Sequence, residues 1–369
     1  MRFPEFTEEW KEERLSKIAE LSKGVGISKE QLSEDGEPCI LYGELYTKYK
    51  SEIIHKVISK TNIESSNLKR SKRNDVIIPC SGETAIDIAV ARCVPFDNII
   101  LGGDLNIIRL HKDDGAFMAY QLNGKRKIDI AQLAQGVSVV HLYGENIKAI
   151  KTYNPCLQEQ QKIVKLLSML DERIEVQNKI IEKLETLIKG IRDYVLNNKL
   201  QNITKKKLGE LCTITTGKLD ANAMKSEGLY PFFTCAEEVY RIDSFAFDTE
   251  ALLVSGNGAN LGYIHYYKGK FNAYQRTYVS SNFIEDIHYI QIYLEAYLHK
   301  RIALEKSTSN TPYIVLATLA EMPIIIPNIK IQKDISNKIL ILKSKLITEI
   351  HIRNCYKDMR QFLLSQMFI

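Results

Sequence analysis

The chain repeats itself, and a duplicated architecture restricts every later inference about its fold. Pro155-Cys156-Leu157-Gln158-Glu159-Gln160-Gln161-Lys162-Ile163 aligns with Pro327-Asn328-Ile329-Lys330-Ile331-Gln332-Lys333-Asp334-Ile335 at the prolines, at Gln160 and Gln332, and at the closing isoleucines. This shift of 172 residues persists through Leu170 and Leu342. Upstream, Leu15-Ser16-Lys17-Ile18-Ala19-Glu20 with Gly24 resembles Leu208-Gly209-Glu210-Leu211-Cys212-Thr213 with Gly217, at a shift of 193. The shifts differ by 21, so the first globular segment is longer by about that much, whereas the segments after the prolines keep step. Divergent heads on matched stalks are expected.

The stalks read as long helices. Ile163, Leu167, Leu170, Ile174, Gln177, Ile181, Leu184, Ile188 and Ile191 follow a four-three spacing with one polar interruption, which is a coiled-coil seam. The second stalk starts the same way, with Ile335, Ile339, Leu342 and Leu346, and then carries Glu349, Arg353 and Arg360 on the seam. Charges between the seam positions, such as Glu172, Arg173 and Lys179, read as a solvated face. A polar seam residue fixes register or partner choice, and the stalks are expected to pair antiparallel. The expected division is a first head over 1–155, a helix over 156–202, a second head over 203–327 and a helix over 328–369.

Each head reads as an α+β domain with a twisted sheet. Ala251-Leu252-Leu253-Val254-Ser255 and Tyr263-Ile264-His265-Tyr266-Tyr267, bounded by Gly, Asn and Lys268-Gly269-Lys270, have strand and hairpin character. Short helices are expected around Ile292 to Leu304 and at Gln31.

A chain of 369 residues exceeds what one hydrophobic core usually serves, in keeping with two domains. No apolar run approaches the roughly 20 residues that cross a bilayer. The stretch from Met1 to Trp10 is polar rather than signal-like, so a cytoplasmic protein is expected. Seven cysteines lie singly, without C-x-x-C spacing, and read as buried free thiols rather than metal ligands. The net charge of +5 is compatible with nucleic acid but also with many enzymes.

Several motifs mislead. Gly256-Asn257-Gly258-Ala259-Asn260-Leu261-Gly262 follows a strand as a dinucleotide-binding turn does, but a strand rather than a helix follows it, leaving no helix N-terminus for a pyrophosphate. Asn154-Pro155-Cys156 lacks the second proline and the aromatic of an adenine methyltransferase loop, so Pro155 and Pro327 read as helix punctuation. No phosphate loop and no histidine metal spacing is present, and His141 and His265 read as surface or core residues. A catalytic centre, a metal and a cofactor are therefore not expected in this chain.

DNA reading needs cations for phosphates and amide or planar side chains for base edges. In the first head the candidates are Lys69, Arg70, Lys72, Arg73, Lys125 and Arg126 in basic runs, with Ser81, Thr84 and Arg92 after the apolar segment Val76 to Cys80. In the second head Asn257, Asn260, Tyr274, Gln275, Arg276 and Thr277 gather beside a hairpin carrying Lys268 and Lys270. Arg to guanine and Asn or Gln to adenine are the available bidentate pairs, each discriminating by about 1 to 3 kcal/mol.

This order of head, helix, head and helix resembles the specificity subunits of type I restriction-modification systems across essentially the whole chain. Arg2-Phe3-Pro4-Glu5-Phe6 with Trp10, Leu15 and Ile18-Ala19-Glu20 is similar to the family's start, and Pro155…Glu159-Gln160…Ile163 to its helix start. The second copy departs, with Lys330-Ile331-Gln332 lacking the glutamate. The resemblance implies that each head, a target-recognition domain, reads one half of an asymmetric bipartite double-stranded DNA site. It implies that the helices set the gap and dock two methyltransferase subunits and, in the restriction complex, motor-nuclease subunits. N6-adenine methylation from S-adenosylmethionine, and any use of ATP and Mg, would belong to those partners. A helix of about 40 residues is roughly 60 Å long, comparable to about 18 base pairs. The competing expectations are a coiled-coil scaffold with two protein-binding heads and a fused enzyme that methylates by itself.

Overall fold

The computed structural model describes residues 2–63, 67–196, 203–304 and 313–368. Along the first head run β1 (Lys11–Arg14), β2 (Ala19–Lys23), β3 (Asp75–Pro79), β4 (Arg92–Val94), β5 (Leu105–Leu110), α1 (Gly115–Asn123) and β6 (Lys151–Asn154), followed by the long helix α2 (Leu157–Leu196). The second head carries β7 (Thr204–Lys207), β8 (Thr213–Thr216), β9 (Phe247–Ser255), β10 (Ile264–Ala273), β11 (Thr277–Ser281), α3 (Ile287–Leu304) and β12 (Pro323–Ile326), followed by α4 (Ile329–Met367). By compactness the chain divides into a first unit of residues 1–179 and 351–369 and a second of 180–350, so both cuts fall inside the long helices. The expected boundary at 202/203 adjoins residues 197–202, outside the described ones.

In the first unit the sheet order is β2-β5-β3-β4. Side chains alternate across a strand, and here both faces are buried. Val76, Ile78 and Ile108 pack on Met118 and Leu122 of α1. Ile77, Leu105 and Ile107 pack on Ile40 and Leu101, which belong to a second small sheet. The second unit repeats the scheme with β8-β11-β9-β10 and two further strands. Leu252 and Val254 face Tyr289 and Ile290 of α3, whereas Ala251, Leu253 and Val279 face Phe233 and Phe271.

The ladders carry both sequence shifts. Ser22 pairs with Ile107 in β2–β5, and Thr215 with Val279 in β8–β11. Lys11 pairs with Asn154 in β1–β6, and Thr204 with Ile326 in β7–β12. In each pair the upstream member is shifted by 193 and the downstream member by 172. Gly24 and Gly217 are conformational necessities, since an added Cβ would lie 1.9 Å from the Gly102 and Ala273 carbonyl oxygens respectively.

Helix and head meet through one carboxamide in each copy. Gln160 Nε2 donates to Pro155 O at 2.9 Å and to Asp113 Oδ1 at 2.7 Å, while its Oε1 accepts from the Asp114 N–H at 2.8 Å. Gln332 donates to Pro327 O and Glu285 Oε2, both at 2.8 Å, and accepts from the Asp286 N–H at 3.0 Å. Asp114 and Asp286 in turn accept from the Phe117 and Tyr289 amides, capping α1 and α3. The prolines therefore do sit at helix starts. Where the second copy lacks a glutamate, the physical reason is visible. Glu159 is fully buried and accepts two bonds from Arg2, at 2.8 and 2.7 Å, and one from Trp10, whereas Ile331 and Ile203, at the Glu159 and Trp10 positions, pack on an apolar core.

The pairing of the stalks is antiparallel. Within the first unit Ile163, Leu167 and Leu170 at the start of α2 cluster with Leu363, Leu364, Met367 and Phe368 at the end of α4. Within the second, Ile191 near the end of α2 packs with Ile335 and Ile339 at the start of α4. Gln177 is buried on the seam. Arg360 on the seam is held by carboxylates, bonding Asp171 at 2.5 Å and also Glu52, while Tyr120 Oη donates to Asp171 at 2.6 Å. Burial works against the Arg360 charge, but the two carboxylates outweigh it and raise its pKa above the ordinary value.

Some expectations need correction. Lys268-Gly269-Lys270 is not a turn, because β10 continues to Ala273, with Gly269 at φ +131° absorbing a local distortion. The hairpin connection is the glycine-rich segment 256–263. The second-head helix starts at Ile287, five residues before the expected Ile292, and the expected helix at Gln31 is a single 3-10 turn, Lys29–Gln31. The buried-thiol reading holds for Cys39, Cys80 and Cys93, but Cys156, Cys212 and Cys235 are half-buried and Cys355 is exposed.

Arg360→Ala leaves buried Glu52 and half-buried Asp171 without their cation and should destabilise the first unit by about 3 kcal/mol, measured by denaturant unfolding with a probe in that unit. A change below about 1 kcal/mol would mean that the network is hydrated and weak.

Candidate nucleic-acid interface

Each sheet has two ends. At one, β5 and β11 run toward the aspartate and glutamine that join head to helix. The opposite end is made of loops, and there the second head gathers most of its expected readers. The Thr277 N–H donates to Tyr274 O at 2.8 Å, closing a turn with Gln275 and Arg276 at its exposed centre. This turn is tied to the hairpin connection by the Gly256 N–H, which donates to Arg276 O at 2.9 Å, so half-exposed Asn257 and Asn260 lie beside it. Gly258 and Gly262, at φ +81° and +83°, let the connection reverse direction. Tyr274 is half-buried, its amide donating to Phe233 O.

Thr277 does not belong to this set. It is fully buried at the first position of β11, where its hydroxyl lies 3.9 Å from Cys235 Sγ. Lys268 and Lys270 are separated from the turn along the β9–β10 pair, opposite Glu250 and Asp248. Lys268 sits 3.5 Å from Glu250, and Lys270 lies over the Phe245 ring at 4.7 Å.

In the first head the corresponding end carries the segment after β3. Ser81 is buried and its hydroxyl donates to Asp104 Oδ2 at 3.1 Å. Thr84 is exposed and caps a short helix, accepting from the Asp87 amide at 3.1 Å. Arg92 is the clear correction. It is 7% exposed, its Nη atoms donate to the carbonyl oxygens of Ala91 and Tyr49, and burial lowers its pKa. A side chain so enclosed supports the fold and does not meet a duplex.

The basic runs separate into bound and available cations. Arg70 makes a bidentate pair with Glu37, at 2.6 and 2.9 Å, which raises its pKa. Arg126 pairs with Asp129 at 3.2 Å and lies over the Tyr153 ring at 5.2 Å. Lys72, Arg73 and Lys125 are exposed and Lys69 half-exposed, and among the described residues no carboxylate pairs with them. The spacing of charges in a sequence does not reveal which are already neutralised by residues 33 positions away, as Arg70 is by Glu37. Residues the sequence reading missed include Asp104, the Glu52–Asp171–Arg360 network, and the aspartates that receive the glutamines. The last were legible, since Asp113-Asp114 and Glu285-Asp286 keep the same shift of 172.

A repeated head with its own helix cap, mounted on antiparallel helices, defines a class of tandem-repeat proteins. The chain belongs to the family described as the type I restriction modification DNA specificity domain, which it matches over residues 7–186 and 201–353. It is 43% identical over 132 residues to the type I restriction enzyme EcoDI specificity subunit of Escherichia coli, a stretch covering 36% of this chain and 29% of that protein. The fold is similar to the crystal structure of a type I restriction-modification S subunit from M. genitalium, with TM-score 0.74, 19% identity and 100% and 97% of the two chains covered. It is also similar, at TM-score 0.53 and 15% identity over 98% and 97%, to a chain from a structural study of complex assembly and conformational transition of the type I R-M system. Among the described residues no helix is long and apolar enough to cross a membrane.

The geometry separates two kinds of arginine and lysine. Lys72→Gln with Arg73→Gln should flatten the salt dependence of DNA binding, by about 0.9 in log–log slope for each phosphate that is no longer neutralised. Arg92→Leu should lower the melting temperature and leave that slope unchanged. Titration of DNA at several salt concentrations, beside thermal melts, checks both, and a slope change in Arg92→Leu contradicts the assignment.

Proposed function

We propose that this chain is the non-catalytic DNA reader of a type I restriction-modification complex in the cytoplasm, each head recognising one half of an asymmetric, gapped double-stranded site. The long helices set the gap and dock methyltransferase subunits, two by the symmetry of the repeat, and restriction subunits where these are present. Adenine-N6 methylation, with S-adenosylmethionine, ATP and Mg, is the chemistry of those partners. The observation that carries the reading is that one head-to-helix joint is built twice, at Gln160 and Gln332, beneath loop ends whose chemistry differs. A shared mount with unlike reading surfaces is what a bipartite, non-palindromic target requires, whereas a symmetric dimer of identical heads reads a palindrome.

The test is selection from a random DNA pool by the purified complex of this chain with its methyltransferase subunits. Two unlike blocks of fixed sequence separated by an unselected gap of constant length are expected. A single continuous block, or no enrichment by a complex shown to be assembled, overturns the reading.

A further inference from the structure

The repeat makes it possible to ask which residue of the first head stands where Arg276 stands in the second. The last register pair of β3 and β5 is Pro79 with Leu105, and that of β9 and β11 is Ser255 with Thr277. One residue beyond, the Cys80 N–H donates to Asp104 O at 2.7 Å, and the Gly256 N–H donates to Arg276 O at 2.9 Å. Gly24 and Gly217 press on the same turn in both heads, against the Leu101 and Gly102 carbonyls in one and the Ala273 and Tyr274 carbonyls in the other. Asp104 therefore occupies the Arg276 position, and Ser81 that of Asn257.

The two side chains are chemical opposites. A guanidinium offers donors alone, and an ionised carboxylate acceptors alone. Both residues are exposed. Asp104 receives a bond from Ser81, and among the described residues no lysine or arginine pairs with it; the Arg276 guanidinium likewise has no partner there. Asp104 also has φ +57°, a left-handed conformation that Asp, Asn and Gly tolerate, and this fixes its direction at the loop end. An unpaired carboxylate at a DNA-facing edge is repelled by phosphates and gains where a base amino group faces it.

We propose that Asp104, oriented by Ser81, is the specificity-determining counterpart of Arg276. On this assignment Asp104 accepts from the exocyclic amino group of a cytosine in one half-site, and Arg276 donates to a guanine in the other. The inference rests on the DNA-reading function proposed above and adds the base chemistry at equivalent points of the two halves.

The assembled complex is tested by selection from a random DNA pool with wild type, Asp104→Gly, Asp104→Asn and Arg276→Ala. Glycine and asparagine both accept the left-handed backbone, so these variants should keep the wild-type melting temperature. Asp104→Gly should lose roughly ten- to hundredfold discrimination at one position of one block and leave the other block intact. Asp104→Asn should move that position toward adenine, and Arg276→Ala should relax one position of the other block. The inference is overturned if Asp104→Gly leaves the motif unchanged, if Asp104→Gly and Arg276→Ala act on the same block, or if wild type selects an A·T rather than a C·G pair at the position that Asp104→Gly relaxes. If wild type selects no motif at all, the DNA-reading function falls together with it.

Discussion

A single carboxamide, used twice, holds this architecture together. Gln160 and Gln332 each bond three polar groups at the joint: the proline carbonyl before the helix, the amide that starts the head's own helix, and an acidic side chain beside it. Both glutamines are almost fully enclosed, at 1% and 0% exposed, and each unsatisfied buried group costs about 1–3 kcal/mol. The joint therefore fixes where the long helix leaves the head, and it does so without using any residue of the loop end. Sequence at the loop end is free to diverge while the mount stays the same.

The first unit ties further segments of the chain to its head. Its amino-terminal segment is tied to the helix through Arg2 and Trp10 on Glu159, and the end of α4 is tied through Arg360 on Glu52 and Asp171. Trp10, Phe117 and Phe368 form an aromatic cluster around these charges, with centroids 5.4 to 6.4 Å apart. Chain segments distant in sequence thereby converge on one head. A polar residue on a coiled-coil seam selects its partner because misplacing it leaves charges unpaired, and Arg360 meets that description.

Much of this was legible beforehand, because the repeat expresses backbone geometry directly. Two shifts, 193 and 172, recur as ladder registers beyond the segments in which the sequence shows them. The four-three pattern falls on both long helices, Leu157–Leu196 and Ile329–Met367. The loop end was harder. Arg92 resembles any surface cation in sequence, yet it is buried and bonds the Tyr49 carbonyl, 43 residues away. Thr277 looks like its exposed neighbours Gln275 and Arg276, but as the first residue of a strand it turns inward. Lys268 and Lys270 flank a glycine that suggests a turn, yet ladder pairing with Glu250 and Asp248 overrides that local preference. Asp104 was missed because a lone aspartate carries no signal until the strand register aligns it with Arg276.

On the proposed function, two different readers on one repeated mount direct chemistry performed by other subunits. A base-resolution methylation map tests it most directly, comparing DNA from cells that express this chain together with its methyltransferase subunit against cells that express that subunit alone. A new motif of two unlike blocks at constant separation, with a methylated adenine in each, is the predicted result. A palindromic motif, or no motif from a complex demonstrated to assemble, would contradict it.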